Sequence, residues 1–304
     1  MSDLTDTSEA VDGYVEDEAS GDGWTMKLGD SCERLAEVDD ATVDLSIYSP
    51  PFASLYTYSP SPRDIGNCML LSEFLAHYRF VVAHMMRVTK PGRLTAVHLA
   101  QVATQLAKDG VIGLTDLRGA VIAAYVAEGW VYHGDITVDK NPQAQAIRTH
   151  SKALLFVQME KDSTWSRPAL ADYVLLFRKP GDNAVPVTPV ANGDVTREDW
   201  IRWASPCWYD IRESDTLNAA EGRSEADERH ICPLQLPLID RCVRLWSNPG
   251  ELVLSPFGGI GSEGVGAIRT GRRYLGIELK PSYFATAVSN LRRAEHEAAL
   301  PALF

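Results

Sequence analysis

Four consecutive residues, Ser49-Pro50-Pro51-Phe52, have the composition of a site that acts on a weakly nucleophilic amine. The lone pair of an amine on an aromatic ring is delocalised into the ring, so the nitrogen needs hydrogen-bond acceptors before it can attack. The Ser49 hydroxyl and the Pro50 carbonyl are two such acceptors. Pro51 would stiffen the turn, and the Phe52 ring could stack on a planar base. A purely structural interpretation is a Pro-Pro turn that ends in a core phenylalanine.

A second group of residues, near the end of the chain, has the layout of a nucleoside-cofactor site. Its parts are a predicted strand over 251–254, the glycine loop 255–262, a predicted helix over 263–269, a predicted strand over 274–277, and Glu278. Glycines let the backbone approach a ligand closely, the helix start offers free N–H groups, and the acid can accept from ribose hydroxyls. Gly259, Gly261 and Gly264 satisfy G-x-G-x-x-G, which fits a nicotinamide cofactor and S-adenosylmethionine equally well.

The elements that must position these residues alternate between strands and helices. Further strands are predicted over 25–28, 43–48, 93–99, 130–138 and 173–177. Further helices are predicted over 31–38, with Ser31 as its cap, and over 70–88, 116–128, 234–246 and 283–297. This alternation predicts an α/β protein with a mostly parallel sheet and helices on both faces. The tetrapeptide follows the strand 43–48, at the carboxyl end where such sheets place their ligands.

Together the two motifs resemble the DNA amino-methyltransferases. Because the tetrapeptide precedes the glycine loop, the order resembles their β class, whose Rossmann-like sheet is circularly permuted. Other segments carry the resemblance over nearly all of residues 24–304: Leu28-Gly29-Asp30, Thr89-Lys90-Pro91-Gly92, and the segments 173–180, 233–237 and 271–278. The resemblance implies an S-adenosylmethionine-dependent fold and methyl transfer to an exocyclic base amine. It also implies double-stranded DNA with a flipped target base as the partner, and leaves open a homodimer and a restriction partner.

The resemblance also implies roles for individual residues. Ser49, Pro50, Pro51 and Phe52 would be the catalytic tetrapeptide. The cofactor-binding residues would be Asp30 at the adenine, Glu278 at the ribose, and Gln235, Ser255, Pro256, Phe257, Gly258, Gly259, Gly261 and Ser262 around the remainder. Three residues depart from the family pattern: Ser255 replaces an Asp, Cys232 replaces a His, and Phe52 replaces the commoner Tyr. Serine at the first tetrapeptide position favours cytosine N4 as the target, with adenine N6 as the alternative.

Charge is distributed unevenly along the chain. The net charge is −12, but eight acidic residues and no Lys or Arg lie in residues 1–23, which predicts a disordered acidic tail and leaves about −4 on the body. Residues 140–180 carry seven cations against three acids, an excess that suits a phosphate backbone and equally a solvated basic face. The predicted DNA-binding residues are Arg148, His150, Lys152 and Arg167.

The domain organisation follows from these segments. Residues 24–304 are predicted to form one catalytic domain, with 140–170 and 181–229 as inserted target-recognition segments. Trp200, Trp203 and Trp208 are expected to anchor the second insertion on the body. Five cysteines without a CxxC pair or zinc spacing predict reduced thiols and no metal site. The absence of a long apolar run and of a leader-like start predicts a cytoplasmic protein, prokaryotic or phage-encoded by the resemblance.

Rival functions stay open at the level of sequence. One is the same chemistry on RNA, on a protein amide or on a small molecule, against which the basic insertion argues. Another is a non-catalytic DNA-binding protein that kept the fold, which Ser255 would support because it brings no charge to the cofactor. A nicotinamide oxidoreductase is disfavoured because too few residues follow Glu278 for the rest of such a domain.

Overall fold

Strands and helices alternate along the chain, as the sequence predicts. The computed structural model describes residues 14–51, 61, 63–68, 70–104, 106, 110–143, 160–165, 168–217 and 233–300. The strands are β1 Asp17–Gly21, β2 Trp24–Leu28, β3 Val43–Tyr48, β4 Thr89–Ala100, β5 Val102–Ala103, β6 Leu114–Thr115, β7 Val131–Val138, β8 Asp172–Arg178, β9 Cys207–Trp208, β10 Leu252–Ser255 and β11 Arg273–Glu278. The helices are α1 Ser31–Ala36, α2 Leu71–Val88, α3 Leu117–Ala127, α4 Arg197–Trp203, α5 Leu236–Trp246, α6 Ser262–Arg269 and α7 Pro281–Ala299, and 3₁₀ turns span Ile65–Asn67 and Ser163–Trp165.

The main sheet has the strand order β1-β2-β11-β10-β3-β4-β8-β7-β9. The five strands from β2 to β4 in this order are mutually parallel. β1 runs antiparallel to β2, and β8 runs antiparallel to both β4 and β7. Strands β10 and β11 come last in the chain yet lie between β2 and β3. The predicted mostly parallel sheet is therefore confirmed, and its antiparallel pairings are those of β1 and of β8.

One edge of the sheet collects the ends of strands that are far apart in the chain. The carboxyl ends of β2, β11, β10, β3 and β4 all lie at this edge because these strands are parallel. The amino end of β8 lies there too, since Asp172 pairs with Ala100 of β4 on one side and with Val138 of β7 on the other. Residues that follow β2, β3, β10 and β11 therefore lie at the same edge as residues at the start of β8.

The core lies on both faces of the sheet, and β8 shows how one strand serves both. Val174 and Leu176 belong to the buried cluster that includes α5, α6 and α7. Leu175 and Phe177 belong to the cluster that includes α1, α2 and α3. This alternation is the two-residue period of a strand buried on both sides. The prediction of helices on both faces is confirmed. No helix among the described residues is long and apolar enough to cross a membrane.

The predicted disordered tail is wrong for its last part. Residues 17–21 form β1, which pairs with β2 from Asp17 opposite Leu28 to Gly21 opposite Trp24. Side chains of β1 are mostly exposed, so the strand is held by backbone hydrogen bonds and by ion pairs such as Lys27 to Glu18 at 2.8 Å. An acidic composition does not reveal an edge strand of this kind, because little apolar area is buried. Residues 1–13 lie outside the described residues.

The segment 181–229, predicted as the second insertion, contains a helix and a strand. It contains α4, and it contains β9, which extends the main sheet beside β7. Trp208 is buried, and the Arg241 guanidinium lies 4.6 Å from its ring centroid and 5.0 Å from that of Trp203. These two tryptophans anchor the segment, as expected, whereas Trp200 is 46% exposed. Residues 218–229 lie outside the described residues.

Candidate functional site

A cavity of about 440 Å³ opens at the edge of the sheet where the parallel strands end. Its volume lies within the roughly 300–1,000 Å³ of small-molecule sites. The tetrapeptide and the glycine loop, which come from distant parts of the chain, both contribute to its wall. The predicted site residues that line it are Asp30, Ser49, Pro50, Pro51, Phe257, Gly258, Gly259, Ser262 and Glu278.

Four predicted cofactor residues lie outside that lining and support it. Ser255 is fully buried at the end of β10. The Pro256 carbonyl accepts a hydrogen bond from the Ser31 hydroxyl at 2.5 Å, which ties the loop to α1. Gly261 precedes α6 with a φ of 85°. Gln235 precedes α5 and is only 6% exposed. These residues shape the loop and its neighbours, and their contacts with a cofactor stay predictions.

Predictions on other residues fall outside what the structure describes. These residues are Phe52, Arg148, His150, Lys152, Arg167 and Cys232. Two further cations of the basic stretch are held by the protein: Lys140 is buried and pairs with Asp172 at 2.6 Å, and the half-buried Lys179 ammonium donates to the Thr89 carbonyl at 2.6 Å. The positive excess predicted for 140–180 therefore overcounts what DNA could meet, because a composition count does not separate buried cations from exposed ones.

The glycine loop is folded tightly over the end of β11. A Cβ on Gly258 would lie 2.8 Å from the end of the Met26 side chain and 3.3 Å from the Ile277 carbonyl oxygen, so a larger residue would require these neighbours to shift. Gly259 has a φ of 50°, and its N–H donates to the Glu278 carboxylate at 2.8 Å. Nothing lies within 4 Å of a Cβ built on Gly259. The backbone therefore faces open space in the cavity, where a ligand could approach it closely.

Asp30 sits between β2 and α1 with its carboxylate at the cavity. One oxygen accepts from the Cys32 N–H at 2.8 Å and so caps α1, a role that the sequence predicts for Ser31. The other oxygen lies 3.9 Å from the Arg63 guanidinium. The backbone N–H of Asp30 donates to the Tyr14 hydroxyl at 2.9 Å. A residue from the predicted tail thus helps to fix Asp30.

Glu278 ends β11 and is the acid that the motif predicts. Its two oxygens accept from the backbone N–H groups of Gly259 and Lys280, each at 2.8 Å. Burial raises the pKa of Glu278 to about 7, although these hydrogen bonds act in the opposite direction. Each carboxylate oxygen has a second lone pair, so Glu278 can still accept from the hydroxyls of a ligand.

Glu263 is a site residue that the sequence analysis does not include. It lies in the first turn of α6, lines the cavity and is 5% exposed. Burial raises its pKa to about 8, and the nearby Glu278 carboxylate acts in the same direction. Among the described residues no Lys or Arg forms an ion pair with it. A buried carboxyl without a cation favours a positively charged ligand. Its position directly after Gly261-Ser262, on a turn otherwise buried, is the signal that could have found it.

The cavity wall carries more acidic than basic side chains. The acids are Asp30, Glu33, Asp64, Glu263 and Glu278, and the cations are Arg63 and Lys280. Arg63 is itself held by Glu33 at 2.6 Å. A nicotinamide dinucleotide would bring a pyrophosphate into this field, which is unfavourable, whereas a cationic nucleoside would be attracted.

Ser49 heads a row of polar side chains on the other side of the cavity. Its hydroxyl donates to the His98 carbonyl at 3.1 Å. The His98 Nε2 lies 3.0 Å from the Asp172 carboxylate, which also pairs with Lys140 at 2.6 Å. Burial would raise the pKa of Asp172, but His98 and Lys140 lower it to about 2. Sequence patterns do not reveal this row, because His98, Asp172 and Lys140 come together only through the antiparallel pairing of β8.

Comparisons with known proteins identify the family and the fold of this chain. Residues 43–289 match the family described as DNA methylase, the N6 and N4 methyltransferases. The type II methyltransferase M.BglI of Bacillus subtilis is 24% identical over 86% of this chain and 84% of its own length. TTHA0409 of Thermus thermophilus, assigned as a DNA modification methylase and solved with S-adenosyl-L-methionine, is 25% identical over 88% of this chain and 94% of that one, with a TM-score of 0.64. The cytosine-N4-specific PvuII DNA methyltransferase shares the fold, with a TM-score of 0.64 and 19% identity over 91% of this chain and 92% of that one.

Proposed function

This chain belongs to the DNA methylase family, and we propose that it methylates the exocyclic N4 amine of cytosine at specific sites in DNA. S-adenosylmethionine is the cofactor, as the motifs predict; when bound, it supplies a methyl group on a positively charged sulfur that an amine nitrogen can attack. The observation that carries the proposal is that Ser49, Pro50 and Pro51 line one cavity together with the glycine loop and Glu278. An amine at Ser49 and a nucleoside at the loop would therefore share it.

The residues of the cavity wall suit the parts of this cofactor. Asp30 and Glu278, at the ends of neighbouring strands β2 and β11, would accept from the adenine amine and the ribose hydroxyls. Gly259 leaves space for the ligand against the backbone. Glu263 would balance the cofactor's positive charge. Glu263 would thus supply the charge that Ser255 lacks, which argues against a non-catalytic protein that kept the fold.

Ser49 would orient the amine that is methylated. Because the Ser49 hydroxyl gives its own hydrogen to the His98 carbonyl, its oxygen lone pairs are left to accept an N–H. Together with the Pro50 carbonyl, it would draw the nitrogen towards a tetrahedral geometry and direct its lone pair into the cavity. Phe52 would stack on the target base after it has swung out of the DNA helix.

The proposed base is cytosine because a serine opens the tetrapeptide. The PvuII enzyme, which shares this fold, is cytosine-N4-specific, which supports that choice. DNA contacts are proposed for Arg148, His150, Lys152 and Arg167 in the first insertion. Exposed cations there would neutralise backbone phosphates and hold the duplex over the cavity.

The test is to analyse the nucleosides of DNA methylated by the purified protein. Wild-type protein, Ser49→Ala and the control Ser289→Ala, an exposed serine on α7, are incubated with unmethylated DNA and labelled cofactor. Wild type and Ser289→Ala should produce N4-methylcytosine, and Ser49→Ala should produce almost none. Formation of N6-methyladenine would overturn the assignment of the base. If wild-type protein binds the cofactor but labels neither base, methyl transfer to DNA amines is overturned.

A further inference from the structure

The polar row behind Ser49 is buried and continuous. His98 is 7% exposed, Asp172 is 5% exposed and Lys140 is 7% exposed. The second imidazole nitrogen of His98, Nδ1, lies 3.4 Å from the Ser49 oxygen. One histidine therefore faces Ser49 with its carbonyl and with Nδ1, and faces Asp172 with Nε2. Burying three ionisable side chains is costly unless they are paired, so this row has a defined arrangement.

Methylation of an amine requires a proton acceptor. When the nitrogen–carbon bond forms and the carbon–sulfur bond breaks, the electron pair of that bond stays on sulfur. The nitrogen then carries a positive charge, which it loses by giving up one of its N–H protons. A serine hydroxyl that accepts this proton must pass on its own, because it is too weakly basic to keep both.

We propose that His98 takes up this proton through Ser49. The N–H proton moves to the Ser49 oxygen, and the hydrogen of the Ser49 hydroxyl moves to His98 Nδ1. The imidazolium that results is stabilised by Asp172 at Nε2. His98 touches no reacting atom, so it is a positioning residue that acts through Ser49. The inference rests on the proposed function.

The resting geometry is prepared for this transfer. The His98 carbonyl, 3.1 Å away, holds the Ser49 hydroxyl, and rotation of its hydrogen redirects it to Nδ1 of the same residue. The Asp172 carboxylate accepts a hydrogen bond from Nε2–H, which leaves Nδ1 without a hydrogen. The neutral tautomer that Asp172 selects is therefore the one that can accept from Ser49.

The charged groups of the row are Asp172, Lys140 and Glu213, which lies 3.7 Å from the Lys140 ammonium. The Asp172 carboxylate is the common partner of Lys140 and of His98 Nε2. It would therefore stabilise an imidazolium formed at His98 next to the Lys140 ammonium.

The experiment measures single-turnover methyl transfer against pH with cofactor and DNA saturating. The wild-type rate should rise with pH to a plateau, because only the neutral imidazole of His98 can accept the proton. His98→Asn should be slower by about 10²-fold, and its rate should lack this rise. The matched control His133→Asn, an exposed histidine on β7, should behave as wild type. Cofactor affinity should be unchanged in both variants.

A purely structural role for His98 predicts a different result. His98→Asn would then be less stable and slower but would keep the wild-type pH profile, which would overturn the inference. Imidazole NMR of the wild-type protein gives a test without a variant: His98 should be the Nε2–H tautomer, and an Nδ1–H tautomer would overturn the inference. If wild-type protein methylates DNA and His98→Asn does so at the same rate, the relay is overturned but the proposed function is not. If wild-type protein methylates no DNA, the proposed function falls and takes the relay with it.

Discussion

Buried carboxyls lie on both sides of the cavity, and their pKa values move in opposite directions. In the cofactor half, defined by the glycine loop and the ends of β2, β10 and β11, burial raises the pKa of Glu263 to about 8 and of Glu278 to about 7. In the target half, defined by Ser49 and the ends of β3, β4 and β8, burial is outweighed by His98 and Lys140, and the pKa of Asp172 falls to about 2.

The difference shows what each half is built for. Lys140 and His98 of the protein itself pair with Asp172, so its carboxylate stays ionised at neutral pH and belongs to an internal hydrogen-bonded row. Among the described residues no Lys or Arg pairs with Glu263. Its carboxylate would therefore be neutralised by a cationic ligand that enters the cavity. A buried carboxyl without a cationic partner thus indicates a positively charged ligand. A buried carboxyl that the protein itself pairs indicates a group that acts on the ligand.

The largest expected effect is a loss of reaction rate from a change in the target half, without a loss of cofactor affinity. Ser49→Ala should slow methyl transfer by about 10²–10³-fold, because the amine loses one of the acceptors that localise its lone pair. Cofactor affinity should not change, since Ser49 belongs to the target half. Single-turnover rates and calorimetric cofactor titrations measure the two effects, with Ser289→Ala as the control. A comparable loss of cofactor affinity would show that the halves are not separable.

The converse change should affect binding first. Glu278→Ala should weaken S-adenosylmethionine binding by about 1.5–3 kcal/mol, the value of a hydrogen bond that involves a charged group. The rate at saturating cofactor should change much less than in Ser49→Ala. Calorimetry measures the affinity, with Glu297→Ala, an exposed glutamate on α7, as the control. Unchanged affinity in a folded variant would remove Glu278 from the cofactor site.

The two halves also differ in how well the sequence predicts them. The glycine loop, β11 and Glu278 are contiguous in the chain, so their spacing alone indicates how they fold together. Glu263 is absent from the predicted site because glycines alone define the motif. Its place at the start of the helix that follows the glycine loop is nevertheless evident from the sequence. For this half the sequence carries nearly all of the geometry.

The target half depends on contacts between distant segments. Ser49 is evident from its tetrapeptide, but His98, Lys140 and Asp172 come from three separate segments that only the pairing of β4, β8 and β7 unites. Local pattern indicates a strand without its direction or partner, so the row could not be predicted. The same limit concealed β1, whose pairing with β2 depends on backbone hydrogen bonds that leave no apolar pattern.

Acid stability tests the balanced charge of the target half. The pKa of Asp172 is lowered from 3.8 to about 2, so its pairing stabilises the fold above pH 4 and this stabilisation is lost as the pH falls towards 2. The depression corresponds to about 2 kcal/mol. Asp172→Asn should therefore be less stable than wild type by about this amount at neutral pH, and the difference should shrink below pH 4. Urea unfolding at several pH values measures it, with the exposed Asp182→Asn as the control. A difference independent of pH would contradict the pairing.

The unbalanced half should respond to pH in a higher range and through cofactor binding, and the effect is the smallest of the four. Because the pKa of Glu263 is raised to about 8, the free protein holds a proton there at pH 7. A cationic cofactor favours the carboxylate, so binding should release that proton and strengthen as pH rises from 7 to 8, by at most about tenfold, or 1.4 kcal/mol per unit. Calorimetry in buffers of different ionisation enthalpy counts the proton. The amino group of the cofactor titrates in the same range, so Glu263→Gln provides the comparison: it should release less than wild type. Equal release in both would mean that Glu263 is not the carboxyl that balances the cofactor.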